Sequence, residues 1–431
     1  MRISLFLELA TPRPWDDDLE YTVHQNSLEI IEAADRAGFA TAWITEHHFL
    51  EEYSHAAAPE LLLAAASQRT KRIRLGHGIM HMPPEINNPV RVAERISTLD
   101  LLSGGRVEFG TGEASTVGEL GGFGVDAGQK RAQWFEAVKV AMRAMTETPF
   151  TGFHGDFVDV PPRNVVPKPF QKPHPPLWVA CSSPATAIMA AENAIGALNF
   201  SRLGPDVLHG RVEEYYQVFA ERAVPLAPGI NANFLAGVGD LALMVGDTME
   251  EAIELSGPGA GFFGFGLKHY FTKNHHPGAE NIWAELEEAV RKDPSIAYSP
   301  GRGAIGTVDH IRQFLRLYED TGIDEAMLMI NPHNHEASLR SIERLRKEVL
   351  PEFQERDEKF QADKAARLEP VYEAVEARRR QSDAPPYDPD YTFGGLATSA
   401  DGKYVAAEGR VAVAEHEQAR LKSAAAGDAE A

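Results

Sequence analysis

Short apolar runs alternate with longer amphipathic stretches along most of this 431-residue chain. This alternation is typical of βα units that build a parallel sheet. The runs that we interpret as strands lie at residues 3–9, 41–46, 73–76, 107–110, 177–180, 197–200, 233–245 and 325–330. Because eight strands with their following helices close into a barrel, the pattern predicts an α/β chain with the (β/α)₈ TIM-barrel fold.

Two insertions interrupt the alternation. Residues 150–176 are dense in proline, which has no backbone N–H, and they predict an extended excursion. Residues 257–303 are rich in glycine and aromatic residues. The glycines around Phe263 and Phe265 disfavour a packed helix and favour a mobile wall. We therefore expect residues 272–303 to form a poorly ordered lid over the barrel mouth.

The chain changes character after residue 353. The following residues are charged, and the last part contains tandem prolines, tandem glycines and an alanine-rich tail without an apolar face. We therefore predict a barrel domain at residues 1–353 and a charged C-terminal extension at residues 354–431. The extension is expected to be partly disordered or to wrap around the second subunit of a homodimer.

A formal net charge of −21 restricts the partners of this chain. The negative charge repels nucleic-acid phosphates and anionic lipid surfaces, so we expect neither a nucleic-acid nor a membrane partner. No apolar run approaches the roughly 20 residues that span a bilayer, and the sequence after Met1 shows no signal-peptide pattern. We therefore expect a cytoplasmic protein. Cys181 is the only cysteine, which excludes an internal disulfide and a cysteine-based metal cluster, and we predict no metal site.

Glu46, His47 and His48 come at the end of the second apolar run. Polar residues at the carboxyl end of a barrel strand are where catalysis usually takes place, so these three predict an edge of an active site. A metal pair and a solvated turn are the alternatives. Adjacent residues on a strand point to opposite faces, so the two histidines are not expected to bind one ion. One of them is expected to be structural.

Four segments together resemble the bacterial luciferase-like flavin-dependent monooxygenases. They are Glu46-His47-His48-Phe49, residues 88–95 (NPVRVAER), residues 99–110 (LDLLSGGRVEFG) and residues 306–309 (GTVD). Their order and spacing carry the resemblance, which spans residues 1 to about 353. It implies a barrel that binds reduced FMN from a separate NAD(P)H:flavin reductase. The flavin would trap O₂ as a C4a-peroxide, and one oxygen atom would enter a small hydrophobic substrate.

The resemblance also implies roles for the residues near strands two and three. His47 matches the family's active-site histidine, which would act as an acid or a base beside the flavin ring. Histidine suits this role because its ordinary pKa of roughly 6.5 lies near working pH. His48 is expected to face the barrel wall, and Glu46 to orient a histidine or an arginine. Gly78 and Ile79 match the position of a non-proline cis peptide bond under the flavin.

The implied substrate pocket lies beside the flavin. Its expected lining residues are His77, His81, Phe263, Phe265 and Tyr270. An ordinary loop position is the alternative for His81, and core packing is the alternative for the aromatic residues.

The flavin phosphate needs fixed donors and positive charge. Ser182 and Ser183 follow the fifth strand and begin a helix, so hydroxyls, backbone N–H groups and the helix dipole converge on one anion site. Simple N-capping is the alternative. Arg131 aligns with a family arginine that reaches the phosphate. A cation in the first turn of a helix is unfavourable unless an anion is present, which supports this role.

Thr111, Gly112 and Glu113 follow the fourth strand and are expected to contact the cofactor. Luciferase itself carries an arginine where this chain has Glu113, and a carboxylate would repel phosphate. Glu113 is therefore expected to hydrogen-bond a flavin ring nitrogen, a ribityl hydroxyl or Arg131. The change argues against luciferase activity itself.

Two alternative functions remain open at this level. The first is a dehydrogenase that uses the deazaflavin F420 on the same barrel and transfers hydride without O₂. The polyglutamyl tail of F420 needs a basic groove, which no motif shows. The second is a non-catalytic flavin-binding protein, which would be expected to lose part of the barrel, whereas this chain keeps all of its βα units.

Overall fold

The computed structural model describes residues 1–200, 203–257, 259–272, 275–297, 303–331, 334–379 and 384–393. In these residues the strands are β1 (Arg2–Leu7), β2 (Thr41–Ile44), β3 (Arg74–His77), β4 (Met80–His81), β5 (Val107–Gly112), β6 (Phe153–His154), β7 (Asp159–Val160), β8 (Leu177–Cys181), β9 (Gly196–Asn199), β10 (Phe234–Val245), β11 (Ala304–Gly306) and β12 (Glu325–Met329). The helices are α1 (Leu19–Ala37), α2 (Pro59–Arg69), α3 (Pro89–Ser103), α4 (Val117–Phe123), α5 (Lys130–Thr146), α6 (Pro184–Glu192), α7 (Pro205–Arg222), α8 (Met249–Ser256), α9 (Gly259–Thr272), α10 (Ile282–Lys292), α11 (Val308–Glu319), α12 (His335–Glu348) and α13 (Leu350–Ala377). None of these helices combines the length and the apolar character that crossing a membrane requires.

Eight parallel strands form a closed barrel in the order β1, β2, β3, β5, β8, β9, β10 and β12, and β12 pairs with β1 again. The short strands β4 and β11 pair with β5 and β10. The strand order follows the chain order, as expected for successive βα units. The predicted (β/α)₈ TIM-barrel fold is confirmed.

Two tryptophans, Trp43 and Trp178, are buried in the barrel together with Phe6, Leu198, Leu235 and Met327. The rings of Trp43 and Trp178 meet edge to face, with their centroids 5.6 Å apart. Their indole N–H groups donate to Glu325 at 3.1 Å and to Glu108 at 2.6 Å, so both polar ends are satisfied. Glycine is required at position 76, because a Cβ atom there would lie 2.3 Å from the Trp43 ring. The barrel is therefore a packed core, and a ligand has access only from one of its ends.

The proline-rich insertion at residues 150–176 contains little regular structure. Its strands β6 and β7 form a short antiparallel hairpin. An isolated bridge joins Phe150 to Arg163, and the remaining residues form neither helix nor sheet. The prediction of an extended excursion is confirmed.

The described parts of the glycine-rich insertion at residues 257–303 contain the helices α9 and α10, which corrects the prediction of a mobile wall without a packed helix. The glycines of α9 lie within a continuous helix. Their lack of a side chain allows other groups to approach the helix closely. A Cβ atom at Gly266 would lie 2.7 Å from the Tyr53 ring, and one at Gly261 would lie 2.5 Å from the carbonyl oxygen of Ile296. The wall is a packed helix, and its glycines lie where other parts of the chain contact it.

Helix α10 occupies part of the segment for which we predicted a poorly ordered lid. Its first turn is bound by Glu52, whose carboxylate accepts hydrogen bonds from the backbone N–H groups of Ile282 at 2.6 Å and Trp283 at 3.1 Å. A carboxylate at a helix N-terminus is stabilising because it faces the positive end of the helix dipole. The described residues 275–297 are thus held against the loop after β2. Two parts of the predicted lid lie outside the described residues: 273–274 and 298–302.

Helix α13 crosses residue 353, where we predicted a domain boundary. Four of its apolar side chains are buried in the main core: Leu350, Phe353, Leu368 and Val375. The Lys364 ammonium lies 2.5 Å from Oδ1 of Asp324, a buried residue next to β12. The first compact unit of the chain is Met1–Pro385, because α13 is anchored in this way. Residues 394–431, where we predicted disorder or contact with a second subunit, lie outside the described part of the chain.

Candidate active site

Polar side chains gather at the carboxyl ends of the barrel strands, on the side where α/β barrels carry their active sites. They are Glu8 after β1, Glu46, His47 and His48 after β2, His77 and His81 at the ends of β3 and β4, and Glu113 after β5. Helix α4 adds Glu119 to this group. All of these residues except Glu8 and Glu119 were identified in the sequence.

His47 lies between two buried carboxylates. Its Nδ1 is 2.8 Å from Oε1 of Glu119, and its Nε2 is 3.4 Å from Oε1 of Glu8. The edge of its ring also contacts Tyr53, with the ring centroids 5.5 Å apart. Two nearby negative charges favour the protonated form of an imidazole.

The pKa values of these three groups are strongly shifted. Burial lowers the pKa of His47, but the Glu8 and Glu119 carboxylates outweigh burial and raise it to about 9. Burial raises the pKa of Glu8 to about 8, although the positive charge of His47 acts in the opposite direction. Burial also acts to raise the pKa of Glu119, but His47 and a hydrogen bond from Thr116 lower it to about 2. At neutral pH His47 therefore carries a proton and Glu119 is ionised.

Glu46 binds the second histidine. Its Oε1 lies 3.0 Å from Nε2 of His48 and accepts a hydrogen bond from the Asn87 amide at 2.8 Å. Its Oε2 accepts the backbone N–H of His81 at 3.1 Å. Glu46 thus contacts a histidine in the way expected of an orienting residue, and this histidine is His48. The catalytic roles of Glu46, His47 and His48 stay predictions.

Glu8 and Glu119 were missed because each reads as an ordinary structural residue. Glu119 has a signal, since Thr116 and Glu119 form the Thr-x-x-Glu capping box at the start of α4. The Thr116 hydroxyl donates to Oε2 of Glu119 at 2.7 Å, which leaves Oε1 for His47. Glu8 has no comparable signal. It follows an apolar strand, and only the tertiary structure shows that its carboxylate is buried without a hydrogen-bond partner.

His77 and His81 are both buried near the other histidines. Neither ring nitrogen of His77 has a hydrogen-bond partner, and burial lowers its pKa to about 4, so the ring is neutral. The His81 ring lies 6.0 Å from that of His47 and is not at an ordinary exposed loop position. The peptide bond between Gly78 and Ile79 is cis, at the position that the resemblance implied. Contact of these residues with a flavin or a substrate stays a prediction.

The residues predicted to bind phosphate are Arg131, in the first turn of α5, and Ser182 and Ser183, before α6. Arg131 donates a hydrogen bond to the Glu113 carboxylate, which is one of the partners expected for Glu113. Ser183 caps α6 and accepts the backbone N–H of Thr186 at 3.3 Å. Burial raises the pKa of the Cys181 thiol to about 12, and the positive charge of Arg131 acts in the opposite direction. Joint binding of a phosphate by Arg131, Ser182 and Ser183 stays a prediction.

The other three predicted cofactor contacts differ in their surroundings. The Thr111 hydroxyl donates to the backbone carbonyl of Trp178 at 2.8 Å, so its proton is used within the barrel wall. Gly112 lies against Ile79, since a Cβ atom at Gly112 would be 2.4 Å from the Ile79 side chain. Ser182 is exposed at the start of the α6 turn. Among these three residues, only Ser182 presents an exposed hydroxyl to a ligand.

Helix α9 forms an aromatic wall above Glu8. The Phe263 and Tyr53 rings lie 5.8 Å apart, and the Tyr270 and Tyr53 rings lie 6.1 Å apart. The buried Tyr270 hydroxyl has no hydrogen-bond partner, and Phe265 is half-buried. A cavity of about 10 Å³ lies between this wall and Glu8, which is room for roughly one water molecule. The predicted pocket residues Phe263 and Tyr270 therefore adjoin the His47 cluster through Tyr53.

The described residues contain three groups of His and Glu side chains whose ligand atoms lie within 4.8 Å of one another. Two groups belong to this site: Glu46, His48 and His81, and His47, His81 and Glu119. The adjacent histidines fall into different groups, although both lie in the loop after β2 and not on a strand, as the prediction assumed. That the two histidines do not bind one ion stays a prediction. The third group, His269, His275 and Glu280, lies at the end of α9.

The barrel and the histidine–carboxylate cluster at its carboxyl end are those of a TIM-barrel enzyme. The chain belongs to the luciferase-like monooxygenase family, because the family model with that description matches residues 5–325. The chain is 35% identical over 294 residues to the uncharacterized protein y4wF of Sinorhizobium fredii, which covers 68% of this chain and 80% of that protein. It is also 26% identical to the oxygenase component of the flavin-dependent trigonelline monooxygenase of Acinetobacter baylyi. This match extends over 368 residues, which are 82% of this chain and 96% of that protein.

Solved structures with the same barrel include enzymes of two cofactor types. One is the oxygenating constituent of 3,6-diketocamphane monooxygenase from Pseudomonas putida in complex with FMN, with a TM-score of 0.62 and 21% identity, covering 81% of this chain and 98% of that one. The other is the F420-dependent tetrahydromethanopterin reductase from Methanopyrus kandleri, with a TM-score of 0.56 and 20% identity, covering 82% and 99%. At these identities the likeness shows the shared fold alone. The family and its monooxygenase relatives support an oxidoreductase.

Proposed function

We propose that this chain is the oxygenase component of a two-component monooxygenase, which uses reduced FMN and O₂ to oxygenate a small hydrophobic organic substrate. The observation that carries this proposal is the protonated His47, held between Glu8 and Glu119 beside the aromatic wall of α9. One relative supports it in its description, as the oxygenase component of a flavin-dependent monooxygenase, and one solved structure with the same barrel is in complex with FMN.

The residues at the barrel mouth fit FMN. The N-terminus of α6 with Ser182 and Ser183 offers hydroxyl and N–H donors for a phosphate, and Arg131 offers positive charge nearby. Arg131 is paired with Glu113 in this structure, so binding of the phosphate would compete with that pair. His77 adds a buried imidazole without a hydrogen-bond partner at the carboxyl end of β3. Bound reduced FMN would supply the electrons that activate O₂.

His47 is suited to give a proton rather than to take one. Its pKa of about 9 means that the imidazole is protonated at neutral pH. Its Nδ1 is fixed by Glu119, which leaves the Nε2 side, facing Glu8, as the end from which a proton moves. A positioned proton donor stabilises negative charge that develops on an oxygen atom. Oxygen transfer leaves such a charge, so a protonated His47 suits this reaction.

The α9 wall is suited to exclude water. Phe263, Tyr53 and Tyr270 are buried side by side, and the cavity next to them has room for roughly one water molecule. Exclusion of water protects reactive intermediates from hydrolysis, and in this reaction it would limit the release of hydrogen peroxide. The apolar character of these side chains agrees with a hydrophobic substrate.

The test is a cofactor comparison followed by an oxygen-labelling experiment. Binding of reduced FMN and of reduced F420 to the purified protein is measured without oxygen. The FMN-loaded protein is then supplied with NAD(P)H, a flavin reductase, isotopically heavy O₂ and a panel of apolar substrates. We expect tight binding of reduced FMN and heavy oxygen in the product. Preference for F420 with hydride transfer, or flavin binding without any turnover, would each overturn the proposal.

A further inference from the structure

A second group of potential ligands lies outside the site described above, where α9 ends and the chain leads into α10. Nε2 of His269 is 2.6 Å from Oε2 of Glu280, and Nδ1 of His275 is 3.8 Å from Oε1 of the same carboxylate. These ligand atoms all lie within 4.8 Å of one another. His269 and Glu280 are buried, and the His275 side chain is 24% exposed, so the group has one open side.

The hydrogen bonds of the two histidines leave one ring nitrogen of each beside the Glu280 carboxylate. Nε2 of His275 lies 3.3 Å from the backbone carbonyl of Tyr270. A carbonyl only accepts, so this nitrogen carries the proton and Nδ1 presents a lone pair. Nδ1 of His275 is buried and has no hydrogen-bond partner. Nothing else in the described structure uses this lone pair.

His269 is arranged in the same way by a carboxylate. Its Nδ1 lies 3.3 Å from Oε2 of Glu285, on the first turns of α10, and its Nε2 faces Glu280. Histidines that bind metal ions almost always donate their second ring nitrogen to a carboxylate, a carbonyl or water. Both histidines of this group have such an acceptor: Glu285 for His269 and the Tyr270 carbonyl for His275.

We propose that His269, His275 and Glu280 form a binding site for a divalent transition-metal ion such as Zn²⁺. Two imidazoles and one carboxylate are ligands that Zn²⁺ accepts, with bonds of roughly 2.0–2.2 Å, and water completes the coordination from the open side. The ion would lie between Nε2 of His269 and Oε2 of Glu280, in place of their direct contact. The sequence analysis predicted no metal site, because the ligands are brought together only by the turn after α9.

The ion would link the end of α9 to the segment that leads into α10. His269 is the residue before Tyr270 of the aromatic wall, and the Glu280 backbone carbonyl accepts a hydrogen bond from Arg13 at 2.7 Å. A metal at this position would hold the α9–α10 connection in one conformation. This role does not depend on the proposed flavin chemistry.

The alternative is a simple ion pair between His269 and Glu280, with His275 packed beside it. The two are distinguished by metal content. Protein stripped with a chelator is titrated with Zn²⁺ against a chromogenic competitor, and the bound metal is counted by elemental analysis. We expect one equivalent of Zn²⁺ per chain in the wild type and a loss of affinity of at least about 100-fold in His275→Ala. Glu285→Gln should weaken binding by about 10- to 100-fold, as outer-shell partners do.

Two variants control for folding and for the other histidines. His275→Gln keeps a donor for the Tyr270 carbonyl but presents no imidazole, and it should fold like the wild type in the chelator and lose zinc. His81 belongs to both of the other histidine groups, so His81→Ala should retain the full equivalent of zinc. The proposal is overturned if the wild type takes up no zinc, if His275→Gln retains it, or if it is lost in His81→Ala.

Discussion

Nε2 of His47 lies 3.4 Å from Oε1 of Glu8, and neither oxygen of this buried carboxylate has a hydrogen-bond partner. The contact between His47 and Glu8 is therefore electrostatic and contains no hydrogen bond. The pKa of Glu8 is raised by burial to about 8, and the pKa of His47 is raised to about 9 by Glu8 and Glu119 against the effect of burial. Near neutral pH both side chains are therefore mostly protonated, and they lose their protons near pH 8 and pH 9.

The first prediction concerns the pH dependence of stability. His47 binds its proton more tightly in the folded protein, so its stabilising contribution is complete below its ordinary pKa of 6.5 and is lost as the pH rises through about 9. The raised pKa of Glu8 acts with the same sign, from its ordinary 4.5 to about 8. The free energy of unfolding should therefore fall between pH 6.5 and 9. In Glu8→Gln this fall should be smaller, and the pKa of His47 should be lower, as measured by urea unfolding and by histidine NMR titration.

Glu46→Gln is the control, since Glu46 contributes less than Glu8 to the shift of the His47 pKa. An unchanged pKa of His47 in Glu8→Gln would show that the pair is not coupled.

The second prediction separates the two adjacent histidines. His47→Ala should reduce product formation by about 100- to 10,000-fold, the range for loss of a general acid or base. Hydrogen peroxide should rise at the same time, and binding of reduced FMN should persist. His48→Ala should have a smaller effect on product, because His48 contacts Glu46 and the Phe123 ring rather than Glu8. Product and peroxide are measured together with the purified reductase. Normal coupled turnover in His47→Ala would remove this residue from the mechanism.

Local patterns in the sequence were enough to predict the barrel and the position of the histidine pair. The alternation of strands and helices gives the strand order. The separation of His47 from His48 was predicted from the two-residue period of a strand, although both residues lie in the loop after β2. The contacts agree with this separation, since His47 binds Glu119 and His48 binds Glu46.

The features that were missed depend on residues far apart in the chain. The glycines around Phe263 and Phe265 were expected to disfavour a packed helix, because the sequence does not show that Tyr53 lies against Gly266. The burial of Glu8 likewise depends on α9 and on the loop after β2. The boundary at residue 353 was placed by the change to charged residues, but Lys364 within that charged segment is bound to Asp324 in the core. A charged helix with a few well-placed apolar residues cannot be distinguished by composition from a solvated one.

The third prediction concerns the phosphate site. Arg131→Ala should weaken binding of reduced FMN by about 1.5–3 kcal/mol, the range for hydrogen bonds to charged groups. Riboflavin has no phosphate, so its affinity should be the same in both proteins. Glu113→Gln provides the matched variant, because it removes the carboxylate that pairs with Arg131 and should strengthen FMN binding. Anaerobic fluorescence titration gives the three affinities. If Arg131→Ala binds FMN as tightly as the wild type, another cation binds the phosphate.

The fourth prediction concerns the attachment of α10. Glu52 accepts two backbone N–H groups at the start of this helix, and a glutamine offers only one acceptor oxygen in the same space. Glu52→Gln should therefore increase amide hydrogen exchange in α10 by about 10- to 100-fold, which corresponds to the loss of one hydrogen bond to a charged group. Peroxide release should increase with it, because the α9–α10 segment borders the aromatic wall. The control is Glu20→Gln, whose side chain is 77% exposed. Exchange rates equal to the wild type in Glu52→Gln would mean that other contacts hold α10.

The last prediction concerns α13 and the extent of the barrel unit. Lys364 lies 2.5 Å from Asp324, and the two side chains are 7% and 0% exposed. Asp324 also accepts the Phe234 backbone N–H at 2.7 Å, so its carboxylate sits within the hydrogen bonding of the barrel wall. Removing one partner of a buried ion pair leaves an uncompensated charge, so Lys364→Met should lower the free energy of unfolding by about 3–5 kcal/mol. Lys359→Met is the control on the same helix, because Lys359 is 80% exposed and pairs only with Asp363 among the described contacts, and its effect should stay within about 0.5 kcal/mol. Both values come from urea unfolding followed by circular dichroism. Equal stability of the two variants would mean that α13 is an appendage of the barrel, as the composition of the sequence first indicated.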